Sequence, residues 1–339
     1  MARSNRSRNA TPRWRPQARI AAGLGAGALM LGACGVAGGL ASAATSGAPT
    51  GCAIRVTAPS TITLTPTIAG RRRTILLHLP EGYAAATKVP LVLNLPGSGE
   101  TARQQELLTD MNATADADHF IVAYPQALIA DGAGYDWNIP GVPLIGGKPV
   151  PAGAANDVAF LTDLPGYLEA HYCTDPARVY ATGISGGGRM ASQLACDAST
   201  IYAAVAPVDG LRRPTPCPNT RPVPVIAFHG TADPVDAFNG HGQPYWTYSV
   251  PQAETYWANQ DRCTTKPTVS HPDPTVTLTT YTDCHAGAIV ELYAIAGEGH
   301  EWPGGPKLPA VLTAFLGPQT TAISANTTMG AFFNTHPLP

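Results

Sequence analysis

The chain has 339 residues and a formal net charge of −2, with charged side chains making up only 13% of it. That length allows one large α/β domain or two small ones around a sizeable buried core. Six of the 21 basic residues fall within the first nineteen positions (Arg3, Arg6, Arg8, Arg13, Arg15 and Arg19), and without them fifteen basic residues face 23 acidic ones, a net charge of −8. This balance excludes the electrostatic footprint of a nucleic-acid binder and a basic patch for anionic lipid.

In chain order, the basic stretch comes first, and the first acidic residue is Glu81. Residues 20–44 carry no charge. A basic segment followed by an apolar, small-residue one predicts a secretory signal over residues 1–43. Two endings compete. Leu31-Gly32-Ala33-Cys34 reads as a bacterial lipobox that would place a lipid on Cys34, the one route to a membrane. Ala41-Ser42-Ala43 reads as an ordinary cleavage site. The stretch is long enough to span a bilayer, but its glycines and alanines make it weakly apolar, so an uncleaved anchor ranks last. Residues 44–60 read as a flexible lead-in, and residues 61–339 as a single catalytic domain without repeats.

Beyond that point strand-like and helix-like segments alternate. Residues 72–79, 89–95, 120–124, 179–182, 203–208, 223–228 and 290–295 predict strands. Residues 101–118, 157–171, 187–196 and 252–261 predict helices. Val89-Pro90-Leu91-Val92-Leu93-Asn94-Leu95 is almost uninterruptedly apolar, as a strand covered on both faces must be. The alternation argues for an α/β fold with a mostly parallel sheet. Residues 127–151, rich in Gly and Pro, read as a long functional loop.

Six cysteines remain after the leader, an even number that suits disulfides outside the cell, and no Cys-x-x-Cys spacing suggests a metal. Cys263 closes a helix and Cys284 ends a strand just before the 290–295 strand, so these are expected to pair. Cys196 with Cys217 is the next expected bridge, which leaves Cys52 for Cys173.

The chemistry centres on Gly183-Ile184-Ser185-Gly186-Gly187, a G-x-S-x-G motif between a predicted strand and a predicted helix. That context is a nucleophile elbow: a strained turn exposes the serine Oγ at a helix N-terminus. Serine needs a base and the base an orienting acid, in the order Ser, Asp or Glu, His. The strand ending at Phe228 runs into His229-Gly230-Thr231-Ala232-Asp233, which makes Asp233 the candidate acid, Asp236 the runner-up and His229 a structural residue. The 290–295 strand runs into Ala296-Gly297-Glu298-Gly299-His300, which makes His300 the candidate base. His241, His271, His285 and His336 follow no strand of this kind. The oxyanion hole requires two backbone N–H donors, and Gly186 and Ser98 in Leu95-Pro96-Gly97-Ser98-Gly99 are the candidates. No metal or organic cofactor is called for.

These residues resemble the polyhydroxybutyrate depolymerase and feruloyl esterase group, close to carbohydrate esterase family 1. The matching pieces cover almost the whole chain beyond the leader. They include Leu77-His78-Leu79-Pro80-Glu81-Gly82-Tyr83, Tyr124-Pro125-Gln126, Trp137-Asn138, Asn156-Asp157-Val158-Ala159-Phe160-Leu161, Phe228-His229-Gly230-Thr231-Ala232-Asp233 and Gly299-His300-Glu301-Trp302-Pro303-Gly304-Gly305. The resemblance implies an α/β-hydrolase fold and a secreted serine esterase, and it carries the triad over to Ser185, Asp233 and His300. It implies a small or oligomeric ester as partner: a hydroxycinnamate ester or a hydroxybutyrate oligoester, with acetyl-xylan as the alternative. Trp137, Trp302 and Tyr135 are candidate walls of an aromatic acyl pocket. Two departures stand out. Pro96-Gly97 replaces the group's usual His-Gly, and Gly186 stands where Asn or Ala is frequent. A non-catalytic envelope lipoprotein using the fold for binding is the rival of another class, and the intact nucleophile, base and acid weigh against it.

Overall fold

The computed structural model describes residues 56–83 and 87–339. The predicted signal, Cys34 and Cys52 lie outside the described residues. Elements β1 (Ser60–Leu64), β2 (Thr67–Ile68), β3 (Arg71–Arg72), β4 (Ile75–Leu79) and β5 (Val89–Leu95) lead into helices α1 (Ala102–Thr109) and α2 (Met111–Asp118). Then follow β6 (Ile121–Pro125), β7 (Ile129–Asp131), β8 (Gly134–Asp136), α3 (Asp157–His171), β9 (Thr174–Ile184), α4 (Gly186–Asp197), β10 (Ala204–Val208) and β11 (Val225–Gly230). The chain continues through α5 (Val250–Gln260), β12 (Thr268–Asp273), β13 (Val276–Tyr281), β14 (Val290–Ile295), α6 (Ala310–Leu316) and α7 (Ala325–Thr335).

Ten strands form one sheet in the order β1-β4-β6-β5-β9-β10-β11-β14-β13-β12. The six strands from β6 to β14 run parallel, and antiparallel pairs border them at both edges. Successive residues of a strand point to opposite faces, so each strand feeds two cores. Leu91, Leu93 and Leu95 join the core under α3, α4 and α5, which includes Phe160, Leu194 and Trp257. Val92 joins the core under α2 and α7, with Met111, Met329 and Phe333. Helices on both faces of a central parallel sheet, with the serine turn between a strand and a helix, make this an α/β-hydrolase fold.

The helix expected over residues 101–118 is two helices. Asp110 sits at φ 46°, ψ 32°, left-handed, and both ends α1 and begins α2. Asp tolerates that conformation because its short side chain bonds locally, and no periodicity announces it. The expected loop over 127–151 contains a small hairpin, β7 with β8. Disulfides join Cys196 to Cys217 and Cys263 to Cys284, as the cysteine positions predict. Cys173 is also disulfide-bonded.

Candidate active site

The ends of four adjacent parallel strands carry the site. Ser185 follows β9, Asp209 follows β10, Asp233 follows β11 and His300 follows β14. Carboxyl ends of strands are where open α/β sheets place their chemistry.

Ser185 holds φ 54°, ψ −116°, a conformation L-residues avoid, and is the N-cap of α4. Its N–H donates to Val208 O (2.9 Å), which ties the turn to β10. The turn closes only because its neighbours lack side chains. A Cβ on Gly187 would overlap the Leu95 carbonyl oxygen. A Cβ on Gly186 would overlap Ser98 Oγ and come within 2.9 Å of Ser98 N. Gly186 therefore packs closely against the Ser98 amide, and neither residue's N–H finds an acceptor among the described residues. By contrast, the Gly97 N–H is already taken by Glu100 Oε2 (2.9 Å). Two free N–H groups, that of Gly186 at the N-terminus of α4 and that of Ser98 on the loop beside it, can stabilise an oxyanion.

His300 Nδ1 lies 2.7 Å from Asp233 Oδ2. The other oxygen of Asp233 accepts from the N–H groups of Val235 (2.7 Å) and Asp236 (2.9 Å), which fixes the carboxylate plane. His229 Nε2 approaches Asp233 Oδ2 at 3.2 Å and donates to Asp236 O at 2.7 Å. Burial works to raise the Asp233 pKa, but the charge of His300 and the hydrogen bonds from His229 and His300 outweigh it and hold the carboxyl below its usual range. Burial lowers the His300 pKa, and the charge and hydrogen bond of Asp233 overcome that, for a net rise above the ordinary value. The His300 N–H donates to Leu316 O (2.6 Å), so the C-terminal end of α6 also holds the ring's backbone.

Ser185 and His300 open on a single cavity of about 560 Å3. Its walls are mostly aliphatic, with Leu108, Ile184, Val235, Leu308 and Leu316 among them. The tryptophans expected there do not line it. Trp137 is buried and its Nε1 donates to Pro96 O (2.8 Å), bracing the loop that presents Ser98. Trp302 is fully buried and its Nε1 donates to Asn326 Oδ1 (2.9 Å), clamping α7 beneath the His300 loop. Both indoles needed a buried acceptor more than exposure to substrate. Tyr135 pairs through its backbone with Gly99 and Glu100, so the β7–β8 hairpin buttresses the Ser98 loop.

Asp236 lies at zero exposure, in an ion pair with Arg189 of α4. His229, read from the sequence as structural, lies against Asp233. Asp209 escaped sequence reading. One of its oxygens, one of Asp233 and one ring nitrogen of His300 lie within 4.8 Å of one another. Burial first, and then the charge of Asp233, raises the Asp209 pKa well above the carboxylate range. Its place directly after the strand-like Val205-Ala206-Pro207-Val208 was the available signal. Those three residues are the one group of potential metal ligands among the described residues, but Asp233 Oδ2 and His300 Nδ1 are spent on each other. The arrangement suits proton transfer to and from a serine.

Residues 74–236, which include Ser185 and Asp233, match the family model described as esterase PHB depolymerase. The putative esterase NocK of Nocardia uniformis subsp. tsuyamanensis is 31% identical over 271 residues, covering 73% of this chain and 76% of that protein. Feruloyl esterase B of Piromyces equi is 29% identical over 247 residues, covering 67% of this chain but only 42% of that protein, so the chain spans less than half of that relative's length. Among solved structures, an S-formylglutathione hydrolase from Agrobacterium tumefaciens superposes with a TM-score of 0.51 at 12% identity, covering 82% of this chain and 95% of that one. At that identity the likeness concerns the fold alone.

Proposed function

The chain belongs to the esterase PHB depolymerase family, and from that membership we propose that it hydrolyses carboxylic esters through an acyl-enzyme on Ser185. The observation that carries this reading is the strained Ser185 opening on the same cavity as His300, whose Nδ1 is held by Asp233 at 2.7 Å. Ser185 Oγ attacks the ester carbonyl while His300 Nε2 takes its proton. Asp233 keeps the ring in the tautomer with Nδ1–H and stabilises the imidazolium. The Gly186 and Ser98 amides receive the carbonyl oxygen as it becomes an oxyanion. His300 returns the proton to the leaving alcohol, and water then repeats the sequence on the acyl-enzyme.

The aliphatic wall favours an apolar acyl group over acetyl, and it supports a hydroxyalkanoate oligoester over a planar hydroxycinnamate. Export fits the disulfides at Cys196–Cys217 and Cys263–Cys284 together with the basic-then-apolar N-terminal sequence. The test is Ser185→Ala on a soluble p-nitrophenyl ester. Loss of turnover by several orders of magnitude with an unchanged melting temperature is expected. Near-full turnover would remove Ser185 from the reaction. A panel of methyl ferulate, hydroxybutyrate oligomers and acetyl-xylan then ranks the substrates.

A further inference from the structure

Among the described residues eight large hydrophobic side chains are exposed, and five of them belong together. Leu107, Ile145, Leu312 and Phe315 all line the cavity that reaches Ser185, and Val311 shares α6 with two of them. Val311 is 76% and Phe315 73% exposed. Helix α6 reads Ala-Val-Leu-Thr-Ala-Phe-Leu and has no buried residue. Thr313 is its one polar residue, and a helix so largely apolar is ordinarily inside a protein or inside lipid. Contiguous apolar surface of this kind marks a place where something docks.

The cavity indicates what docks there. It opens within this patch, so a protein partner or a second copy seated on the patch would stopper the route to Ser185. Whatever covers the patch must itself bring an ester to the serine. Charge points the same way. Lys307 is the one exposed charged residue of the lining, because Glu301 and His300 are buried and Glu100 is partly so. The shape of α6 narrows the choice further. Its exposed residues Ala310, Val311, Leu312, Ala314 and Phe315 cover an arc of about 200° at 100° per residue. A flat solid touches only a narrow stripe of a helix, whereas a fluid phase closes over its flanks, as it does around interfacial helices.

We propose that the mouth of the cavity, with α6 at its centre, docks onto dispersed droplets of a water-insoluble aliphatic ester and draws single molecules from them into the cavity. This inference rests on the esterase reading above. Because the end of α6 also holds the His300 backbone through Leu316 O, docking and the base share one element.

The test uses the full chain with tributyrin as the insoluble ester and dissolved p-nitrophenyl acetate as the control. The variant is Val311→Glu with Ala314→Glu, two exposed positions outside the cavity lining. The wild-type rate is expected to rise about tenfold or more as tributyrin passes its solubility limit, the scale that burying one exposed side chain of this size provides. The double variant should lose that rise and cease to float with the droplets, while cleaving p-nitrophenyl acetate like the wild type. A wild-type rate that continues on one hyperbola through the limit would overturn the proposal. So would a variant that behaves as the wild type on droplets, or a wild-type dimer that the variant splits, since a second copy would then be the occupant. Failure to cleave even p-nitrophenyl acetate would instead overturn the esterase reading.

Discussion

Arg189 on α4 and Asp236, three residues beyond Asp233, form a buried ion pair, with side-chain exposures of 4% and 0%. The pair commits Asp236 to a cation and leaves Asp233 to face His300. Asp233→Asn should therefore lower kcat by about three to four orders of magnitude with little effect on folding, the size expected when the orienting acid of a triad is neutralised. Asp236→Asn should leave most of the activity of the folded protein and cost roughly 3–5 kcal/mol of stability, because a buried guanidinium loses its partner. Thermal unfolding and kcat on a p-nitrophenyl ester, measured side by side, separate the two. The reverse pattern would make Asp236 the acid.

Gly186→Ala places a methyl against Ser98 N and Oγ. Forcing the two amides apart should reduce kcat by about 10- to 1,000-fold with a much smaller change in KM, since the oxyanion forms only on the way to the transition state. Ser98→Ala keeps the amide and should stay near wild type. Combining it with Gly186→Ala removes the overlap with Oγ and should recover part of the loss. An inactive Ser98→Ala would mean that the hydroxyl, not the amide, does the work.

The pH profile follows from the sign of the His300 shift. The base acts when neutral, so activity should rise with pH and half-maximum should lie above the ordinary histidine value of 6.5. Stability moves the other way. A raised pKa in the folded state contributes stability that is complete below 6.5 and is lost as pH climbs through the folded value. In Asp233→Asn the two largest raising influences vanish, while burial and the smaller effect of Asp236 remain, so the residual activity should turn on at lower pH. A residual profile superimposable on the wild type would break the link between Asp233 and the base.

Glu254 on α5 is buried, and desolvation alone pushes its pKa to about 8. One of its oxygens has no hydrogen-bond partner among the described residues. Its proton is held more tightly folded than unfolded, so it costs nothing below pH 4.5 and progressively more up to about pH 8. Glu254→Gln should raise the melting temperature by a few degrees at pH 8 and leave it unchanged at pH 4. An equal effect at both would mean that charge is not the cause.

The Cys263–Cys284 bridge closes a loop with a sequence separation of 21 and joins the end of α5 to the lead-in of β14. Replacing both cysteines with alanine should cost about 3 kcal/mol on the chain-entropy model. Turnover at low temperature should survive, because β14 pairs with β11 along its length and Leu316 O still holds His300 N. Non-reducing peptide maps check the linkage and denaturant melts check the cost.

Much of this site was legible from residue order. Runs such as Val89–Leu95 and Val290–Ile295 match their strands to the residue, because burial on both faces leaves an uninterrupted apolar signature. Helix α3 matches as well, from Asp157 to His171. Ser185, Asp233 and His300 could be singled out because each sits within a few residues of the end of such a run, and chain connectivity carries them to one edge of the sheet. The split at Asp110 and the hairpin inside residues 127–151 left no trace, since a single left-handed residue and three-residue strands have no period.

The sequence by itself thus determined the fold class, the strand ends and the residues delivered there, because short-range patterning and covalent order govern these. Tertiary structure alone decided what those residues face. Trp137 and Trp302 look like substrate walls in the chain, yet they turn inward to Pro96 O and Asn326 Oδ1, because a buried indole N–H must find an acceptor. Asp209 joins the acid and base only because β10 lies between β9 and β11, and the apolar α6 reaches the cavity only because Leu316 O caps the His300 turn. Contacts such as those of the two indoles, across 41 and 24 residues of chain, depend on packing, which no local pattern encodes.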